Sequence, residues 1–245
     1  MKALVLRFDA PVMSFGTVAV DKWRPCGAFP ALSAVTGLLG AAIGYKRHQT
    51  EKLQRLQERL RVAARIDRRG QLITDYQTVD LGQPWMDGSA KGVGWTSRHR
   101  VEARGKGESN FGTHIRYRDY WADVVATLAV TLDPAEEAPA LDDLAGALRE
   151  PAHPLYFGRR SCPPSAPVLI GERTARSLAE LLEAEPLDDR ADGLEVPAQW
   201  PASEGGGFDE EVVWDLRDWP NQIHAGSRRA RRGLVRPPAK EAEHG

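Results

Sequence analysis

The order of periodic segments in this 245-residue chain predicts an α+β fold, a ferredoxin-like sheet carrying helices on one face. Three observations lead there. Met1 to Phe8 alternates, with Leu4, Leu6 and Phe8 on one face and Ala3, Val5 and Arg7 on the other, the period of a central strand. Leu32, Val35, Leu38, Leu39, Ala42 and Ile43 then recur at helical spacing. Finally, Arg61 to Asp67 and Leu72 to Val79 flank Arg68-Arg69-Gly70, the pattern of a β-hairpin with a basic tip, and Trp121 to Leu132 and Leu141 to Leu148 add a strand and a helix.

Taken in order, Asp9 to Gly16 (DAPVMSFG) ends the first strand. Asp21 to Arg47 joins a basic polar loop to the buried helix, with Ser33 and Thr36 where that helix can begin. Gly37, Gly40 and Gly44 each cost about 1 kcal/mol relative to alanine inside a helix, which implies close approach of another backbone or a ligand. An open helix start also suits a phosphate. Thr50 to Leu60 places Leu53, Leu56 and Leu60 on one face of a second helix, with Lys52, Arg55, Glu58 and Arg59 outside.

Asp80 to Arg118 shows no periodicity and is too long for an ordinary connection. It is expected to be a functional arm, over 80–118, inserted in a single domain spanning 1–245. It carries Lys91, Arg98, Arg100, Arg104, Lys106, Arg116 and Arg118, interleaved with Trp95, Phe111 and Tyr117. Guanidinium groups for phosphates and flat rings for bases are what single-stranded nucleic acid requires. The alternation of Arg98 and Arg100 favours an extended hairpin arm over a plain surface loop.

Pro151 stops the helix marked by Leu141, Leu144 and Leu148. Pro154 to Pro167 (PLYFGRRSCPPSAP) reads as an ordered loop, Thr174 to Ala184 as a short helix, and Glu185 to Glu211 as an acidic, glycine- and proline-rich linker. Glu211 to Asp218 suits a late strand. Beyond Gly226 the cluster Arg228, Arg229, Arg231 and Arg232 marks a mobile basic tail over 226–245.

The net charge of -1 hides an asymmetry. Residues 1–120 hold 20 Lys and Arg against 11 Asp and Glu, a balance of +9, whereas 121–245 hold 13 against 23, a balance of -10. A polyanion on one side and a protein on the other would suit these halves, as would two solvated faces of opposite sign. Two isolated cysteines, Cys26 and Cys162, fit a reducing compartment. With neither a signal peptide nor an apolar run of bilayer length, a cytoplasmic protein with no membrane partner is expected.

A phosphate-binding Walker loop, a dinucleotide fingerprint and a GxSxG elbow are all absent. The six histidines form no ligand pair, so neither a metal site nor a cofactor is expected. Metal-free RNA cleavage stays open, with His99 or His114 as base beside Arg98, Arg100 and Arg116.

Five segments combine these signals: VLRFDAPVMSFG, RPCGAFPALSAVTGLLGAAIG, DYQTV (Asp75 to Val79), RDYWADV (Arg118 to Val124) and PLYFGRRSCPP (Pro154 to Pro164). Running from residue 3 to about residue 185, the series resembles the CasD-type subunits of type I-E CRISPR Cascade complexes. The glycine-rich helix together with GRRSCPP is its most specific part. The resemblance implies a repeat-associated RNA-binding fold, a modified ferredoxin-like (RRM-like) domain with a β-hairpin thumb and an irregular C-terminal part. Such subunits cap the 5' handle of the guide crRNA, beside the CasC backbone and next to the large CasA subunit. They meet target DNA through the assembled complex, and they bind rather than cut, CasE processing the guide.

On that reading the RNA contacts fall to Arg24, Ser33, Thr36 and Arg47 around the opening helix, and to Tyr76. Lys91, Arg98, Arg100, Arg104, Lys106, Arg116 and Arg118 serve in the thumb, and Arg159, Arg160 and Ser161 in the GRRS loop. Three departures stand out. Gln77 replaces the histidine of DYHTV, which weakens a cleavage reading; Asp123-Val124-Val125-Ala126 replaces DAxF; and RRARRGLV replaces the spaced arginines and aromatics of the family's C-terminal part. A metal-independent endoribonuclease, like the related type I-C subunits, and an adaptor touching only protein remain alternatives.

Overall fold

The computed structural model describes residues 1–19, 22–80, 93–95, 101–103 and 113–239, without the side chains of 79–80, 93–95, 101–103 and 113–114. The chain divides into two compact units, the first comprising Met1–Val18, Cys26–Ile73 and Tyr120–Gly245, the second Ala19–Pro25 and Thr74–Asp119. In chain order the elements are β1 (Lys2–Asp9), β2 (Val12–Met13), β3 (Trp23–Arg24), α1 (Leu32–Ile43), α2 (Thr50–Arg59), β4 (Leu60–Arg68), β5 (Gln71–Asp80), β6 (Val93–Trp95), β7 (Val101–Ala103), β8 (Thr113–Ala122) and β9 (Val125–Leu132). They continue with α3 (Leu141–Arg149), β10 (Leu169–Thr174), α4 (Leu178–Ala184), β11 (Val196–Pro201), β12 (Asp209–Val213), β13 (Arg217–Asp218), β14 (Ile223–His224) and β15 (Arg228–Val235).

Within the first unit, β1-α1-β4-β9-α3-β10 sets four antiparallel strands in the order β10-β1-β9-β4, and β11, β15 and β12 extend the same sheet to seven strands. Every residue of β9 is buried, because both faces of the sheet are covered. Leu4, Leu6 and Phe8 of β1, Val62 and Ala64 of β4, and Ala126, Leu128 and Val130 of β9 form one core with Val35, Leu38 and Leu39 of α1 and Leu144 and Leu148 of α3. On the opposite face Ala3, Val5, Ala63 and Ala129 meet Leu178, Leu181 and Leu182 of α4 and Trp200 of β11. The alternation seen in Met1 to Phe8 is this division. Fully burying each such Val, Leu or Phe contributes about 1.5–3 kcal/mol.

α1 and α3 share one face of the sheet, and the later helix α4 covers the opposite one. Several expectations are corrected. β4 and β5 are not a hairpin: β4 stays in the large sheet while β5 pairs with β8 in another. The strand expected over Trp121 to Leu132 is interrupted at Asp123, whose φ is 57°, and its two parts, β8 and β9, pair with β2 and β1 in turn. The supposed linker 185–211 contains β11, a buried strand between β4 and β15, because Val196, Ala198 and Trp200 point inward with period two. The supposed tail contains β15, in which Ala230 and Val235 are buried and Arg229, Arg231 and Arg232 pair with Glu210 and Glu211 of β12.

The start of α1 is not open either. Asp215 accepts from the Leu32 N–H through its carboxylate at 3.0 Å and from the Ser33 N–H through its carbonyl at 3.1 Å, and Arg228 holds that carboxylate at 2.9 Å. A protein anion occupies the place expected for a phosphate. The close approach signalled by the glycines is made by a side chain: a Cβ on Gly40 would stand 2.6 Å from Cδ2 of Leu53 on α2.

In the second unit, β3 runs parallel to β8, pairing Trp23 with Tyr117 and Arg24 with Arg118. β6 and β7 form an antiparallel pair.

Candidate nucleic-acid interface

The loop Pro154 to Pro164 is fastened to the sheet by its apolar residues. Phe157 stacks on Phe8 with ring centroids 4.2 Å apart, Cys162 is fully buried, and the Phe157 carbonyl accepts from the Ser14 N–H at 3.0 Å. Gly158, at φ 94°, passes so close to Ser14 that any side chain would meet its carbonyl oxygen. Arg159 and Arg160 follow directly, Arg159 half-buried and Arg160 exposed. Arg159 lies over the Tyr120 ring at 4.5 Å, and the Ser161 hydroxyl reaches the Tyr120 hydroxyl at 3.5 Å. Gly158→Ala is expected to cost at least about 1–3 kcal/mol of stability from φ alone, with weaker RNA binding, as thermal unfolding and a binding titration would show.

A second element faces this loop. β13 and β14 form a short hairpin that sets Arg217 opposite His224. Buried Gln57 of α2 holds it, donating to the Arg217 carbonyl at 2.9 Å and accepting from the Arg217 N–H at 3.1 Å and from the Trp219 indole at 3.2 Å. Arg217 donates to the Gln222 carbonyl at 3.0 Å and stands 3.2 Å from the His224 ring, while Arg47 donates to the Gln222 side chain at 3.0 Å.

Between loop, hairpin and α1 lies a groove of about 610 Å³, lined by Arg47, Arg159, Arg160 and Arg217, by His224, Tyr156 and Trp219, and by Ser33, Gly37 and Ala41. No carboxylate is among its described lining residues. Burial, and then the charge of Arg47, holds the Arg217 pKa below its ordinary value. Desolvation, and then the charge of Arg217, does the same to His224. Each shift reports burial first and a neighbouring cation second, both of which disfavour the charged form and are offset by an anion. Arg160 is exposed and has no ion-pair partner among the described residues.

Arg47, Ser33, Arg159 and Arg160 are thus brought together in the first unit, with Ser161 beside them. Thr36 is not at this surface. It is fully buried and its hydroxyl donates to the Leu32 carbonyl, so it is a helix-internal residue. In the second unit, Arg24, Tyr76, Arg116 and Arg118 are partly or well exposed. Lys91, Arg98, Arg100, Arg104 and Lys106 lie outside the described residues, as do His99 and the side chain of His114. Sequence reasoning missed Tyr156, Arg217, Trp219 and His224. The signal was the turn Pro220-Asn221, which places residues 217 and 224 across a hairpin.

No group of three or more His, Cys, Asp or Glu among the described residues is arranged to hold a metal ion. Nor, among them, is any helix long and apolar enough to cross a membrane.

A family model of CRISPR-associated proteins (Cas_Cas5) matches residues 3–231. The chain belongs to this Cas5 family. The CRISPR system Cascade subunit CasD of Escherichia coli (strain K12) is 32% identical to it over 188 residues, covering 75% of this chain and 77% of that protein. Among solved structures, a chain of a CRISPR RNA-guided surveillance complex superposes with a TM-score of 0.69 at 24% identity, over 97% of this chain and 91% of that one. A Cas protein crystal structure gives 0.64 at 23% identity, over 98% and 100%. These two likenesses establish a Cas5-type fold, mixed α and β with antiparallel sheets. The Cas5 match reaches well past the expected limit near residue 185 and takes in the Arg217 hairpin.

Proposed function

We propose that this Cas5-family chain is a non-catalytic, cytoplasmic subunit of a type I-E Cascade complex that caps the 5' handle of the guide crRNA. The observation that carries this reading is the groove in which Arg47, Arg159, Arg160 and Arg217 converge, with no carboxylate among the described lining residues. Such a groove grips phosphates and fixes register, leaving the guide to read its target by base pairing. The βαββαβ order of β1 to β10 supports a ferredoxin-like, RRM-like core beneath it. The arm at 80–118 acts as the thumb, and the late strands replace the irregular C-terminal part.

Protein neighbours, CasC on one side and the large CasA subunit on the other, complete the reading and serve antiviral DNA targeting. Phe208, Val212 and Trp214 support it: they lie on β12 and its flanks, at the sheet's outer edge, with exposures of 73%, 56% and 64%. Apolar side chains left open this way suit burial against another subunit.

The second reading, a metal-independent endoribonuclease, draws on His224, whose ring stands among the groove arginines. Labelled repeat RNA incubated with the full chain in chelator separates the two. Intact, bound RNA is expected; a discrete cut that disappears in His224→Ala or His114→Ala would replace the binding reading by the catalytic one.

A further inference from the structure

We propose that the second unit carries a nucleobase-stacking platform made by Trp23, Tyr117 and Tyr76, which takes unpaired bases of single-stranded RNA. This rests on the RNA-binding reading and deepens it, since the four arginines of the first unit's groove address the phosphate backbone.

Three strands assemble the platform. Trp23 on β3 pairs with Tyr117 on β8, and their ring centroids are 6.0 Å apart at 41°. Tyr76 on β5 stands 5.6 Å from the same Tyr117 ring at 57°. Tyr117 and Asp119 share one face of β8, and Thr74 and Tyr76 one face of β5, by the two-residue period of strands. Buried Asp119 accepts from the Trp23 indole at 2.8 Å and from the Thr74 hydroxyl at 2.7 Å. That carboxylate locks the indole plane and ties β3 to β5.

The lock does not serve burial. Trp23 remains 48% exposed and Tyr76 55% exposed, so large aromatic faces are held rigid yet open to solvent. Rigid open rings accept a flat π-system with little loss of entropy, and every base has one. Lys22 stands over Tyr117 at 5.5 Å, and Arg24 and Arg118 occupy the adjoining paired position, which supplies cations for the connecting phosphates. A cationic rim around aromatic faces favours a nucleic acid over a neutral peptide.

The test uses the full chain and a short single-stranded RNA, intact or with its bases removed to leave abasic sugars. For the double variant Trp23→Ala, Tyr76→Ala, affinity for intact RNA is expected to fall roughly tenfold or more, with an unchanged salt slope. Abasic RNA should bind wild type and variant alike, and Trp23→Phe should retain most of the affinity. Equal binding of intact and abasic RNA by the wild type overturns the platform, whether or not the alanine variant folds. So does an unweakened double variant. Either result with a groove variant still impaired leaves the groove reading standing, whereas a wild-type chain that binds no RNA overturns both.

Discussion

Arg65→Ala should lower the unfolding free energy by about 3–5 kcal/mol, the cost of leaving a buried charge without its partner. Arg65 is fully buried, and its Nε meets the Asp67 carboxylate at 2.6 Å. It also donates to the carbonyls of Leu182, Glu185 and Pro186, the last two at 2.6 Å. Asp67 is equally buried, and its other oxygen accepts from Thr127 of β9 at 2.7 Å. One guanidinium therefore fastens the end of α4 to the central strands. Without it, a carboxylate and three carbonyls lose donors in a place water does not reach. Removing Asp67 as well, in Arg65→Ala with Asp67→Ala, should recover part of the loss, because the stranded charge is gone. Denaturant unfolding measures both; a single-variant loss below about 1 kcal/mol would show that the pair is dispensable.

The second large effect belongs to the groove. Arg159→Ala, Arg160→Ala and Arg217→Ala together should weaken single-stranded RNA binding about a hundredfold, a factor of about five for each lost phosphate contact. The slope of log affinity against log salt should fall by about 2, since each phosphate contact contributes about 0.7 for single strands. Proton linkage gives an independent reading of the same site. His224 has a depressed pKa in the free protein, so it is neutral near pH 7. A phosphate beside it raises that pKa, binding then takes up a proton, and affinity rises as the pH falls through the pKa of the bound state. His224→Gln should flatten that dependence. A triple variant that keeps its affinity and its salt slope would remove the groove from the RNA path.

Some of this was legible in the residues because a single local rule decided it. β1 and β9 alternate or run apolar, α1 and α3 show helical spacing, and the basic GRRS loop stands between prolines; each announces itself without its neighbours. What escaped depended on partners distant in sequence. Asp215 caps α1 from 183 positions away, and nothing around Leu32 reveals that the helix start is filled. RRARRGLV looks like a solvated tail until Glu210 and Glu211 on β12 pair with its arginines and turn alternate residues inward. β11 was hidden by the glycines and acidic residues around it. Arg217 and His224 become a site only when Gln57 of α2 fixes their hairpin against α1.

The most direct measurement of the central claim is photocrosslinking of a short single-stranded RNA to the full chain, with the attached peptides identified by mass spectrometry. Crosslinks at Tyr156 to Ser161 and at Arg217 to His224, lost at high salt, are the predicted result. RNA attached only outside these two segments, with both left unmodified, would contradict it.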